Sequence, residues 1–546
     1  MKDLPNYPEA LKALKAHLTP RAEALQMLEQ FVAGTQYDHL DNFFSDKKPL
    51  WERAPCVVYP IAKMAIDSNA DLLLGEGRFP SFTVAGADGE EADNFEKAVA
   101  RVIDNARLKP VAREVFTSAQ AAKSACSIYG LQNGRLTIQS VYARWCTPTF
   151  NLDGSIKFLE IKYPYLDIIS DGDGNKKVVC KLYRRTIDET FDTIYHPAQV
   201  EEHDADKPIN WVVDLETTHA FGFCPVIWYA HMRSCSIVND YDGHALHEHQ
   251  LDEIRAHDFL LSQGYRAAMY CGDPQIIEIG VKKGYDPAGG KGRKGFFPGL
   301  LDQYEAAGGG LFVGASYGSS DPARKKSPGV TWQYDVQDAS KVKVDYLSLP
   351  GDALKVIEDR ARDMKGKLAE ALGVVFIDAS SLPNESRLSG KALNDLVRPQ
   401  LARVNSYRDD FSDHYLIPAI GMLLRIAIKA NLDIEGLDVV KARASKSTWS
   451  WISPPLHASW GEYFKMSGDE ELALMQATLP AVGVLLTKKA AIEKLKGILG
   501  IKDVDSYMAE LEAETKENDA KDLAKIEAEA KATAAAKPPP KPALAA

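Results

Sequence analysis

The sequence predicts a mainly helical α+β protein, and three observations carry that reading. Apolar residues recur every three or four positions through both ends of the chain. Between Tyr129 and Tyr229 the pattern changes to alternation, punctuated by Asn133-Gly134 and Asp153-Gly154 turns. From Asp273 to Ser348, short strand-like runs are set among glycine-rich loops. The 546 residues, 45% hydrophobic and 26% charged, have an ordinary globular balance that excludes a mostly disordered chain. That length predicts about three or four domain-sized units.

In order, residues 8 to 34 and Tyr59 to Leu74 read as helices, the second stopped by Gly75. Phe79 to Val84 reads as a strand. Ala92 to Leu108 and Val111 to Ser127 read as helices separated by Pro110. An antiparallel sheet region follows, through Pro225 to Tyr229, and then a long helix from about Asp242 to Tyr270. Strands are expected at Gln275 to Ile279, Val330 to Tyr334 and Lys341 to Tyr346. In the next helix Leu354, Ile357, Ala361, Met364, Leu368 and Leu372 form one apolar stripe. A short polar break containing Pro383 separates it from a second long helix, for which Ser389 is the N-cap. Gly468 to Glu514 is helical in pattern. The end, AAAKPPPKPALAA, has a composition that cannot bury a core.

Several motifs invite chemistry and fail on detail. GYDPAGGKGRKG, from Gly284, lacks the Ser or Thr after Lys291 and the helix that a phosphate-binding loop needs. Asp171 to Asn175 begins like a calcium loop, but Lys176 stands where Gly is required and Leu182 where Glu is required. A hairpin turn is the better reading. His244, His247, His249 and His257 cluster at a helix start, where His244 and His247 could share a face as zinc ligands do. The plainer reading is a helix start carrying polar histidines. No Gly-x-Ser-x-Gly elbow, CxxC pair or paired-carboxylate signature occurs, so nothing asks for an enzyme, a metal or another cofactor.

A net charge of −11 argues against a basic protein that grips phosphates, but not against one past which nucleic acid must move without sticking. The 7 singly scattered cysteines read as reduced thiols in a cytoplasmic setting. The opening MKDLPNYPEALKALKAHL is amphipathic and charged, unlike a secretory leader. The most apolar windows, Leu416 to Ile428 and Leu472 to Leu486, are interrupted and shorter than the roughly 20 residues of a spanning helix. A soluble protein without membrane contact is expected.

From about Trp51 to Glu514 the order of segments resembles the portal proteins of tailed bacteriophages. Four stretches carry the resemblance: YPIAKMAIDSNADLLLGEGRFPSF, HAFGFCPVIWYAH with the helix after Asp240, LSGKALNDLVRPQLARVNSYRDDFSDHYL, and GDEELALMQATLPAVGVLLTKKAAIEKLKGILGIKDVDSYMAELEAE. The resemblance implies a non-enzymatic subunit of a homo-oligomeric ring, commonly of twelve copies, at one capsid vertex of the virion, assembled in the host cytoplasm. It implies a wing (1–241 and 389–467), a two-helix stem (242–270 and 348–372), a small clip (271–347), a channel loop (373–388), crown helices (468–515) and a tail (516–546). The implied partners are the major capsid protein, the terminase packaging motor, a head-tail adaptor, and double-stranded DNA passing without sequence specificity. On this map Ser381, Asn384, Glu385, Ser386 and Arg387 belong to the channel loop. Lys282, Lys283, Lys291, Arg293 and Lys294 belong to the clip, where a partner or exiting DNA would meet them. Pro399 and Pro418 lie inside the long wing helix and predict kinks. The competing readings are a metal-dependent enzyme using the His244 to His257 helix and a capsid assembly protein without a channel.

Overall fold

The computed structural model describes residues 6–41, 53–86, 89–170, 176–198, 209–233, 241–272, 275–279, 332–334, 343–347, 351–376, 390–445, 450–451 and 454–461, with single positions 463, 508 and 511. They form a mixed α and β fold, about half helical. The chain divides into a unit of Met1–Asp378 with Val397–Gly461 and a second of Ala379–Leu396 with Glu462–Ala546. Of the second unit, the description covers the backbone of 390–396 and the three single positions. Everything below concerns the first unit unless stated.

The first helical pattern is two helices, α1 (Tyr7–Ala16) and α2 (Pro20–Ala33). The sequence breaks there because Thr19 caps α2, its Oγ1 accepting the Ala22 N–H at 3.1 Å, and Pro20 takes the first helical position. Gly34, at φ 75°, stops it. Then come α3 (Ile61–Leu74), β1 (Ser81–Val84), α4 (Glu90–Asn105) and α5 (Leu108–Ala122). Pro110 sits in the first turn of α5 rather than between helices, where its missing N–H costs no hydrogen bond. The expected helix through Ser127 is also wrong at its end. Lys123 turns the chain at φ 68°, and Ser124–Gln132 is a strand, β2. Its backbone pairs on both sides, which outweighs local helix propensity.

The alternating region forms two antiparallel sheets. One has three strands in the order β3 (Arg135–Tyr142), β2 and β9 (Val226–Ala230). Asn133 and Gly134 make the β2–β3 turn with φ 51° and 76°, the positive values that this dipeptide accepts. The other orders β4 (Cys146–Phe150), β5 (Ile156–Ser170), β6 (Lys176–Ile187), β7 (Phe191–Pro197) and β8 (Trp211–Thr218) consecutively. Ser170 pairs with Lys176, so 171–175 connects two paired strands, as the hairpin reading requires. Cys126, Cys146, Leu159, Ile187 and Trp228 pack between the two sheets.

After α6 (Leu251–Gly272) come β10 (Gln275–Ile279), β11 (Trp332–Tyr334) and β12 (Lys343–Leu347). Next are α7 (Gly351–Leu372), α8 (Gly390–Phe411), a π turn over Ser412–Leu416, α9 (Ile417–Lys429), α10 (Leu437–Ala444) and β13 (Leu456–Ser459), which pairs with β1. The disturbance expected at Pro418 takes the form of this π turn. Proline offers no N–H to the turn before it, and the Ile417 N–H reaches back to Ser412 O instead. Pro399 lies inside α8, which continues across it. Val397–Lys429 is long and apolar enough to cross a membrane, yet 72% of its apolar window is buried, the pattern of a core helix. Phe411, Tyr415 and Tyr407 on this segment pack edge-on or stacked with Phe116, Tyr229 and one another.

Candidate functional site

Helices α6 and α7 form an antiparallel pair. Ile254 shares a core cluster with Leu368 and Leu372, whereas ten residues further along, Gly264 approaches Ile357. The expected stripe on α7 is real at its lower end, where Ala361, Leu368 and Leu372 are buried. Toward the other end Leu354 and Ile357 are only half-buried, and beside the stripe Val356 on α7 and Tyr265 on α6 are each 52% exposed. Those outer ends lead into one small mixed sheet. β10 lies centrally, antiparallel to β12 (Gln275 opposite Leu347) and parallel to β11. The α7 helix carries five basic and five acidic residues, so its charge is balanced. Two pairs neutralise each other locally, Arg362–Asp359 and Lys367–Asp363.

The inner end of α6 is held by a buried carboxylate. Asp258, fully buried, accepts the Tyr59 N–H at 2.9 Å, the Tyr37 hydroxyl at 3.0 Å and Gln36 Nε2 at 3.4 Å. Burial pushes its pKa up to about 6, against the pull of those three donors. Just before α6, Arg21 on α2 grips Asp242 with two guanidinium nitrogens, at 2.6 and 2.9 Å, and donates to the Ala143 and Cys146 carbonyls at 3.0 Å each. Ser124 Oγ adds a bond to Asp242 at 2.9 Å.

These contacts correct the expected helix start. Residues 241–250 are irregular and then turned, and the helix begins at Leu251 rather than Asp242. The backbone there is spoken for: His244 N–H donates to His231 O, and Leu246 N–H to Gln120 O. Gly243 lies so close to His231 that a Cβ would fall 1.9 Å from its carbonyl oxygen. Tertiary bonds win over the helical pattern.

The histidines scatter accordingly. His247 is buried, with Nε2 3.0 Å from Leu28 O, and His257 is buried against Tyr59. Burial lowers the basicity of both, with the Lys365 ammonium also contributing at His257. Neither shares a face with His244. Among the described residues, the one group able to converge on a metal is His244, Glu248 and His249. There the Lys123 ammonium already pairs with Glu248. Burial alone would raise the Glu248 carboxyl, and Lys123, with hydrogen bonds from the Ala245 backbone and His244, more than offsets it, leaving the acid below its ordinary range.

At the other end of α7, the chain is fastened just before residue 377. Gly373, at φ 66°, ends the helix, its N–H donating to Glu370 O while Val374 N–H donates to Ala369 O. Arg403 on α8 donates to the Leu372 carbonyl at 2.7 Å. Gln400 accepts the Val375 N–H at 3.0 Å and donates to Ser68 Oγ at 2.9 Å and Asn69 Oδ1 at 3.2 Å. The segment entering 377–389 is thus clamped to α3 and α8. Sequence reading missed Gln400 and Arg403, although Gln400, a polar residue in step with apolar Val397, Leu401 and Val404, was a readable signal of a buried polar anchor.

Ser381, Asn384, Glu385, Ser386 and Arg387 lie outside the described residues, as do Lys282, Lys283, Lys291, Arg293 and Lys294. No protein-family model matches the chain, and no curated protein matches it.

Proposed function

We propose that this chain is a portal-type subunit, one copy in a ring through which double-stranded DNA passes. The observation that carries the reading is the antiparallel α6–α7 pair whose outer ends run into a single three-stranded sheet. Such a pair is a strut that carries a small docking module away from the packed body. The clamp of Gln400 and Arg403 supports it further, since it fixes the base of the segment that would face the channel. The charge balance of α7 agrees with a passage that does not hold DNA, because each Lys or Arg contact left unopposed adds salt-dependent affinity and drag. In this reading the sheet module receives the packaging motor and then the head-tail adaptor. The wing meets the major capsid protein, Asn384, Ser386 and Arg387 touch the DNA backbone while Glu385 opposes adhesion, and catalysis belongs to the partners.

Negative-stain microscopy of the purified full chain tests it. Rings with a central hole are expected, twelve-fold for this class, and a monomer or a closed particle at assembly concentrations refutes the reading. Removing 381–387 should leave rings intact and impair genome filling or retention.

A further inference from the structure

A cleft of about 910 Å³ lies between the β4–β5 turn, the segment entering β9, the π turn with α9, and the stretch around Trp451. That volume is within the range of pockets that hold small organic ligands. On its wall Arg425, from α9, lies over Phe223 with the guanidinium carbon 3.7 Å from the ring centroid. The guanidinium is half-buried, and no hydrogen bond or ion pair among the described residues engages it. Three other sunken arginines differ. Arg21 meets Asp242, Arg144 meets Glu29 and Arg185 meets Asp192. Burial pushes the Arg425 pKa down.

The rim has another character. Lys157 and Arg233 are exposed there, as are Asp153, Glu189 and Asp413, so the signs are mixed and water screens them. Asp153 is also occupied, accepting the N–H and hydroxyl of Ser155. A rim of mixed sign does not suit the polyanionic backbone of a nucleic acid. The sunken charge alone selects the ligand. The Phe223 ring covers one side of the guanidinium, whose planar fork is the part that takes two oxygens side by side. Trp228, Trp451, Ile417 and Met422 supply apolar wall. The π turn beside the cleft places Asp413, His414, Ile417 and Pro418 on its lining, a deformation often kept where a site needs it.

We propose that this cleft binds a small aromatic oxyanion, its carboxylate or phosphate oxygens held by Arg425 and its ring lodged against the apolar wall. Phenyl phosphate and benzoate, titrated separately into the full-length protein, test it by calorimetry and by tryptophan fluorescence, and distinguish phosphate from carboxylate. At least one should saturate. Arg425→Gln should weaken that ligand by about 10-fold or more, as expected for losing a charge-assisted pair. Lys157→Gln, on the exposed rim, should change it less than about threefold. Arg425→Lys keeps the charge and stem without the fork, and serves if the Gln variant does not fold; binding about 10-fold weaker is expected. Failure of both probes to saturate by about 10 mM overturns the proposal, as does unchanged binding in an Arg425 variant.

Discussion

Asp258→Asn isolates the buried carboxylate at the base of α6. The native acid titrates at about 6 against an ordinary value of 3.8. Between those values the folded protein keeps a proton that the unfolded chain has released. The site's contribution to stability is therefore present at low pH and is lost as pH rises through about 6. In full this is about 3 kcal/mol, of which about 2.4 kcal/mol falls between about pH 4 and about pH 8. Asparagine cannot ionise, and its Oδ1 still accepts the Tyr59 N–H. Gln36 Oε1, buried and unpartnered, is available for the new amide if the Gln36 side chain turns over.

Hydrogen–deuterium exchange of peptides spanning Tyr59 and 251–263 reads this locally, without assuming that the whole chain unfolds in one step. Comparing wild type with variant at the same pH cancels the intrinsic pH dependence of exchange. His257, 4.0 Å away, is present in both proteins, its basicity lowered by burial and by the Lys365 ammonium. Protection of the variant relative to wild type should rise about 60-fold from about pH 4 to about pH 8. A ratio constant within about threefold refutes the claim that Asp258 is held protonated by burial.

Gly373→Ala should destabilise by about 2–3 kcal/mol, from the left-handed backbone and the lost Arg403–Leu372 bond, because its Cβ would fall 2.0 Å from Arg403 Nη1. Gly366→Ala, in the exposed middle of α7 with nothing within 4 Å, should stabilise by about 0.5–1 kcal/mol in the same chemical-denaturation assay. His231 is buried among Phe116, Tyr229 and Tyr407, and burial pushes its pKa down to about 3, with His244 contributing. The unfolded chain takes up that proton first as pH falls below about 6.5, so stability drops toward acid by about 2.5 kcal/mol between about pH 7 and about pH 4.5. His231→Phe should flatten that limb in melts across the range; an unchanged acid slope refutes it.

What was legible in the sequence is what local physics decides. The Asn133-Gly134 turn, the α7 stripe and the strands flanking the glycine-rich stretch all follow from neighbours a few residues apart. The failures share a cause. Ser124–Ser127 and 241–250 look helical in isolation, but their backbone groups are taken by partners distant in sequence: β9 in one case, His231 and Gln120 in the other. The Arg21–Asp242 grip, 221 residues apart in sequence, leaves no local trace. Asp258 did leave one. It follows Ile254 by four residues and precedes Ser262 by four, so an acid and a hydroxyl stand on the face that the helix buries.

That misplaced acid bears on the proposed strut. On the proposed reading, the stripe of α7 goes from buried Leu368 and Leu372 to half-buried Leu354 and Ile357, and the base resists the leverage of what docks at the far end. Hydrophobic packing is tolerant of sliding, because it is non-directional. Hydrogen bonds are not. The α6 root is fixed by Asp258 to Tyr37 and Tyr59, and the α7 root by Arg403 and Gln400 to the helix end and α3. Each root carries directional bonds to elements that the other helix does not supply. On the proposed reading, a load at the β10–β12 sheet would pass into α3 and α8 rather than be absorbed by shear between α6 and α7.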